Sequence, residues 1–151
     1  MNKRISGFTI LELLVVVAII GIMTSIALFM LTDAREKGRD SRRFDDLAQI
    51  KNALELYSSD NNALYPAGSS LDSVVNGGYL KKLPVDPLNT GVYTYMYQAT
   101  DFSGTACNSN ACTSYVLKGV LEQTEQEALV SDVDGVIGGL DCADPALCIT
   151  P

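Results

Sequence analysis

From Phe8 to Thr32 the chain carries one charged side chain, Glu12, in 25 residues. Coiled as an α-helix, that run is roughly 37 Å long at ~1.5 Å per residue. The hydrocarbon core of a bilayer is about 30 Å thick, so the run can cross it. A helix buried in a soluble core normally keeps a polar stripe; this one offers little beyond Thr9, Glu12, Thr24 and Ser25. Three fates fit such a segment: a transmembrane anchor, a cleaved secretory signal, or a helix that begins in the membrane and leaves it. The secretory signal fits poorly. Lys3 and Arg4 make a suitable basic start, but the apolar run exceeds the about 7–15 residues of a signal core and no A-x-A-like cleavage site follows.

Composition narrows the chemistry. The 151 residues hold 11 Lys and Arg against 18 Asp and Glu, a net charge of −7, with no His and no Trp. Such an acidic chain lacks the phosphate-neutralising charge of nucleic-acid binders, so no nucleic-acid partner is expected. Without His, triad hydrolases and His-ligated metalloenzymes are excluded, and no nucleophile–base arrangement is visible. The expectation is a protein that is not an enzyme. Disorder is excluded by a hydrophobic content of 47%.

Orientation signals conflict. Two basic residues precede the apolar run and five follow it closely, Arg35, Lys37, Arg39, Arg42 and Arg43. The positive-inside rule then places the C-terminal part in the cytoplasm. The cysteines point the other way. Cys107, Cys112, Cys142 and Cys148 form two close pairs, C-x4-C and C-x5-C, with no zinc-like spacing. Disulfides in an oxidising compartment are the better reading, with buried free thiols as the alternative. Of the three possible pairings, 107–112 and 142–148 are favoured because both close local loops.

Glu12 needs a reason, since an ionisable residue in an apolar run costs a few kcal/mol. It can sit hydrated or protonated near the interface, or it can meet a positive partner. Gly7–Phe8 supplies a candidate: cleavage after Gly7 leaves an α-amine on Phe8, one helical turn from Glu12. The carboxylate can pair with that amine or with a neighbour's, relieving two groups that are costly to bury alone. The run from Lys3 to Ile22, K-R-I-S-G-F-T-I-L-E-L-L-V-V-V-A-I-I-G-I, resembles the class III-type signal of type IV pilins and type II secretion pseudopilins. The resemblance implies cleavage between Gly7 and Phe8 by a membrane prepilin peptidase, methylation of the Phe8 amine, and pairing of Glu12 with an adjacent subunit's N-terminus. It also implies a leader in the cytoplasm and a head outside, against the Lys/Arg count. Gly21 matches a family position. Many members carry Pro eight residues later; Phe29 stands there, which predicts a more continuous helix.

Beyond Asp33 the pattern turns amphipathic, with Leu47, Ile50, Leu54 and Tyr57 on one helix face. The preceding charged run, Arg35 to Arg43, reads as a solvated face or as intersubunit ion pairs. Gly38 weakens the helix by ~1 kcal/mol relative to Ala. One long helix is expected from Phe8 to near Ser59, ended by Asp60-Asn61-Asn62 and Pro66. A short helix over Leu71 to Val75 and a connector with Pro84 and Pro87 follow. Strands are expected at Val92–Ala99, Ser114–Leu121 and Ala128–Val133. The fold class is α+β: a long N-terminal helix whose apolar half protrudes and whose amphipathic half packs on a small antiparallel β-sheet, as in pilins. The domains are a leader over 1–7, a transmembrane or filament-core helix over 8–32, and an extracytoplasmic head over 33–151. Leu64-Tyr65-Pro66, Gly78 to Pro87 and Tyr93-Thr94-Tyr95 also resemble the major pseudopilin of type II secretion and related short pilins.

The segment Ser131 to Asp141, S-D-V-D-G-V-I-G-G-L-D, places carboxylates on a Gly-rich loop, hard oxygen donors that suit Ca²⁺. It is not an EF-hand. It is similar to the loop where major pseudopilins bind calcium, and on that comparison Asp134 and Asp141 are the side-chain ligands, with Asp132 the weaker candidate. The alternative is a solvated acidic turn. The leading functional expectation is a structural subunit of a type IV pilus or related filament, polymerised through its apolar helices. Alternatives are a pseudopilin of the periplasmic type II secretion pseudopilus, or an anchored extracytoplasmic binding module that never polymerises. The implied partners are the prepilin peptidase, other pilin or pseudopilin subunits, the inner-membrane assembly machinery, and membrane lipid before assembly. The implied location is single-pass in the inner membrane, then an extracellular pilus or a periplasmic pseudopilus.

Overall fold

The computed structural model describes residues 7–109 and 111–151; Lys3 and Arg4, which carry the basic leader, lie outside them. Two compact units are present, Met1–Glu36 and Lys37–Pro151, and helix α1 (Ile10–Asp60) contributes to both. The helix is unbroken at Phe29 and Gly38. No proline interrupts the i→i−4 ladder there, and the ~1 kcal/mol that a Gly costs is small in a helix of 51 residues.

In the first unit every large apolar side chain from Phe8 to Leu31 is exposed, Ile10 at 86% and Phe29 at 78%. Its most apolar 18 residues have a mean hydropathy of 2.8, long and apolar enough to cross a membrane. The hydroxyls do not break this character. Thr24 Oγ1 donates to Ile20 O at 2.8 Å, Ser25 Oγ to Ile22 O at 2.7 Å, and Thr32 Oγ1 to Leu28 O at 3.3 Å. Each polar group is satisfied inside the helix, as a bilayer requires.

In the second unit α1 buries Leu47, Ile50, Ala53 and Leu54, with Tyr57 partly buried beside them. The helix ends where Asn62 and Ala63 take left-handed φ of 58° and 59°. Ala63 N–H then returns to Ser58 O at 2.9 Å, a capping arrangement for orphan carbonyls. Helix α2 (Asp72–Asn76) follows, then β1 (Met96–Thr100) and β2 (Ser114–Val120). The third strand of the sheet is not the expected one. Residues Glu127–Val130 form a short helix, α3, a hairpin follows as β3 (Val136–Ile137) and β4 (Leu140–Asp141), and Ala146–Ile149 form β5. The apolar run Ala128-Leu129-Val130 is too short for its periodicity to separate strand from helix, and the pairing edge of β2 goes to β5.

The sheet is antiparallel in the order β1-β2-β5, with Tyr97 opposite Leu117 and Lys118 opposite Cys148. Tyr115 and Leu117 of β2 face α1 in the main core, whereas Val116 packs with Cys142 and Cys148 in a second cluster. Both faces of β2 are thus covered. A Cβ at Gly119 would lie 3.0 Å from Leu47 Cδ1, so glycine lets helix and sheet approach. The tyrosines serve packing: Tyr115 sits edge-on to Tyr65 at 4.8 Å and tilted to Tyr97 at 5.9 Å. Disulfides join Cys107 to Cys112 and Cys142 to Cys148. The first closes the β1–β2 connection, where Tyr65 N–H donates to Cys112 O and Gly68 N–H to Cys107 O, both at 2.9 Å.

Candidate functional site

Gly7, Phe8 and Thr9 precede the first helical residue and are exposed, so the Gly7–Phe8 bond lies in non-helical backbone. Thr9 and Glu12 form a reciprocal cap. Glu12 N–H donates to Thr9 Oγ1 at 3.2 Å, and Thr9 N–H reaches Glu12 Oε2 at 3.5 Å. This is a capping box, T-x-x-E, which satisfies two donors that an α-helix start leaves orphaned. Neither hydration near the interface nor pairing with an amine, the two situations expected for Glu12, includes this local partner, which the T-x-x-E spacing carries. Within one chain the carboxylate therefore already points at its own helix start, where the helix dipole favours negative charge.

A second polar constellation ties the second unit together. Arg43 is fully buried. Its Nε and Nη2 donate to Asp86 at 2.7 and 3.1 Å, and its Nη1 to Asp40 at 2.6 Å and Glu122 at 2.7 Å. Arg39 forks onto the same Glu122. Asp40 in turn accepts the N–H groups of Glu122 and Gln123 at 3.0 and 2.9 Å, and the Arg43 guanidinium lies 4.9 Å from the Tyr93 ring centroid. Burial opposes the charge on Arg43, but its bonds to Asp86, Glu122 and Asp40 outweigh that and raise its pKa. Burial likewise opposes the charge on Asp86, yet Arg43 and the N–H groups of Leu88 and Asn89 hold its pKa below the usual range. Arg39 and then Arg43 pull Glu122 down in the same way, against burial. Arg39, Asp40 and Arg43 are thus neither a solvated face nor free for intersubunit pairs. Arg43 precedes Leu47, Ile50 and Leu54 on one helix face, a register that marks it as core-facing.

The acidic loop differs from the expected ligand set. One carboxylate oxygen each of Asp132, Asp134 and Asp144 lie within 4.8 Å of one another. Asp141 is not among them: its Oδ1 accepts Ala143 N–H at 3.1 Å, and its backbone O accepts from Lys118 Nζ. Asp132, the weaker candidate in the sequence, sits at the centre. Its Oδ2 accepts Cys148 N–H at 2.9 Å, while its Oδ1 is buried with no hydrogen-bond partner among the described residues. Burial first, then the charges of Asp134 and Asp144, push its pKa up against the Cys148 N–H bond. Asp144 was missed because it lies beyond the Gly-rich loop, brought back by the Cys142–Cys148 ring.

Residues 2–28 match the prokaryotic N-terminal methylation motif; residues 2–6 of that match lie outside the described residues. Together with the long apolar helix and the small antiparallel sheet, the motif defines a pilin-like protein of the prepilin-processed class. The chain is also similar to type II secretion system core protein G of Aeromonas hydrophila, 37% identical over 99 residues, 57% of this chain and 69% of that protein. The Vibrio cholerae protein of that name is 31% identical over 115 residues, 68% and 77% of the two chains. That of Pseudomonas aeruginosa is 32% identical over 112 residues, 66% and 78%. The chain belongs to the type II secretion system core protein G family, a family of structural pseudopilin subunits and not of enzymes. No solved structure matches it. Of the filament readings drawn from the sequence, the pseudopilin is the one these relatives favour; the type IV pilus rests on the shared N-terminal motif alone.

Proposed function

We propose that this chain is the repeating subunit of a periplasmic pseudopilus, inserted in the inner membrane, cut after Gly7 by prepilin peptidase, methylated on Phe8, and polymerised by inner-membrane machinery. The observation that carries the reading is the exposed apolar run from Phe8 to Leu31, joined at its start to a single carboxylate, Glu12. In lipid those side chains are solvated. Once a subunit leaves the bilayer, each large one exposed to water would cost about 1.5–3 kcal/mol, so the helices must cover one another. In lipid the helices gain little from apolar contact alone. Glu12 then sets direction and register, exchanging its contact with Thr9 for the Phe8 amine of a neighbour.

The head carries a Ca²⁺ site built from Asp132, Asp134 and Asp144. Three convergent hard oxygen donors and one buried, unpartnered Asp132 oxygen fit such an ion. Bound there, the cation would offset two of the loop's four negative charges and fix it against β5. Two measurements test these assignments. Intact mass and N-terminal sequence of the protein from its own cells should show a chain beginning at Phe8, ~14 Da heavier than a plain cut; a chain beginning at Met1 overturns the filament reading. Calcium at about a hundredfold above its Kd should stabilise the head by ~2.7 kcal/mol, an effect abolished in Asp132→Asn. An unchanged melting temperature overturns the calcium site.

A further inference from the structure

Phe102 is the most exposed large apolar side chain of the described residues, at 97%, and it is not on a loose loop. Asp101 Oδ1 accepts the N–H groups of Ser103 and Thr105, both at 2.9 Å, and Ser103 Oγ at 2.7 Å. Gly138 N–H donates to Gly104 O at 2.9 Å and ties the turn to the β3–β4 hairpin, whose Val136 is 74% exposed. An isolated apolar residue on a surface needs no explanation. An aromatic held outward by a stapled turn is different: it is pre-organised, so seating it costs little further ordering, and aromatics of this kind dominate interface energetics.

A groove of about 290 Å³ lies elsewhere on the same unit, lined by Arg42, Asp46, Gln49, Lys82, Leu83, Pro84 and Val85. Its apolar side is Leu83, Pro84 and Val85, with Leu83 and Val85 exposed at 38% and 47%. Its polar side carries Arg42, which pairs with Asp46 at 3.8 Å, and the net positive charge comes from Lys82 and the adjoining Lys81. The Phe102 end is acidic: residues 101–109 and 131–145 contain five aspartates and no Lys or Arg, and the nearby Lys118 ammonium rests on Asp141 O. Knob and groove lie at opposite ends of β1. Tyr95, just before β1, donates to groove-lining Asp46 at 2.9 Å, whereas Phe102 follows the other end, with the strand of about 17 Å between them. β1 is held in register by β2, so the two cannot meet within one chain.

We propose that Phe102 of one copy seats against Leu83, Pro84 and Val85 in the groove of the next, an aromatic knob in acidic surroundings meeting a groove edged by Lys81 and Lys82. The contact is heterologous: each copy offers one knob and one hole at opposite ends, so it propagates without closing into a dimer. It rests on the pseudopilus reading and names the head-to-head contact within it, separate from the packing of the apolar helices. Opposite charge at the two ends steers copies into this order and rejects like ends.

The test uses full-length chains in cells that assemble the filament, with filaments sheared and pelleted. After mild oxidation, Phe102→Cys/Val85→Cys chains should give a ladder of dimers, trimers and higher species, which neither single substitution gives. Phe102→Ser, at a site with no buried contacts, should lower pelleted filament about tenfold at unchanged Phe8 processing, the effect of losing a modest interface anchor. No ladder, or Phe102→Ser filaments at the wild-type amount while wild type polymerises, overturns the proposal and leaves the pseudopilus reading standing. A cross-link from Phe102→Cys to a protein of different mass also overturns it, by assigning the knob to another partner. A wild-type chain that is processed yet never polymerises overturns both.

Discussion

Arg43→Met should be the most damaging single change in the head. Met fills similar space and is a good helix former, so the perturbation is chiefly the loss of a buried cation. Asp40 and Asp86, 1% and 4% exposed, and Glu122, its side chain 10% exposed, surround it. With Arg39 counted, the cluster carries one uncompensated negative charge in the native protein and two in the variant. Asp86 suffers most, keeping only the N–H groups of Leu88 and Asn89 at 2.8 and 3.3 Å. Removing one partner from a buried ion pair costs about 3–5 kcal/mol, and a unit of this size loses about 4 °C per kcal/mol. The melting temperature should therefore fall by about 12–20 °C at pH 7. The loss should also shrink in mild acid. Without Arg43, burial should push the Asp86 pKa up, so the folded variant should bind a proton that the unfolded chain does not, and its stability should rise as pH falls. Near-ultraviolet circular dichroism of the full-length chain in detergent, with disulfides intact, reads the head through its packed tyrosines, undisturbed by Trp. A loss below about 1 kcal/mol at pH 7, or a loss equal at pH 7 and about pH 5.5, would refute the reasoning.

The native head should behave in the opposite sense with acid. Asp86 and Glu122 have lowered pKa values when folded, so their contribution is complete above the ordinary carboxylate range near ~4 and is lost as pH falls through their lower folded values. Thermal melts should be flat down to about pH 5 and then decline. Glu12→Ala should stay membrane-inserted but fail to appear in sheared filaments; normal filament yield would remove Glu12 from the register role. Reducing the disulfides, which close loops of separation 5 and 6, should cost ~2 kcal/mol each by loop entropy, measured as a shift in the denaturation midpoint with and without reductant.

The elements with long, unambiguous patterns were legible from sequence. Helix α1 followed from the apolar run and the Leu47/Ile50/Leu54 stripe, and β2 from its dense run of β-formers. The strand expected at Val92–Ala99 begins later, at Met96, because Thr90 and Tyr93 pair with each other in a tight bridge first. The segment Ala128–Val133 misled because local composition cannot say whether β2 pairs with it or with a later strand. Strand β5 was hidden by Pro145 and by Cys142 and Cys148, which read as loop. The Arg43 cluster was missed for a related reason: its three acids come from positions 40, 86 and 122, and only their convergence in space makes charges into core. In the acidic loop the residue types were readable, but that Asp144 and not Asp141 comes near Asp132 and Asp134 depends on how the Cys142–Cys148 ring folds back.

The hydroxyls of Thr24, Ser25 and Thr32 carry a consequence for reversibility. Each is closed onto a carbonyl of its own helix, so these hydroxyls bring no polar demand that a neighbour must meet. To such a segment hydrocarbon and packed protein are nearly equivalent surroundings. A subunit returned to the bilayer from the end of a filament would leave no hydroxyl unsatisfied in either place. From Phe8 to Thr32 the one charged group is Glu12, so on the pseudopilus reading assembly and disassembly would both turn on a single carboxylate at the mouth of an otherwise indifferent run.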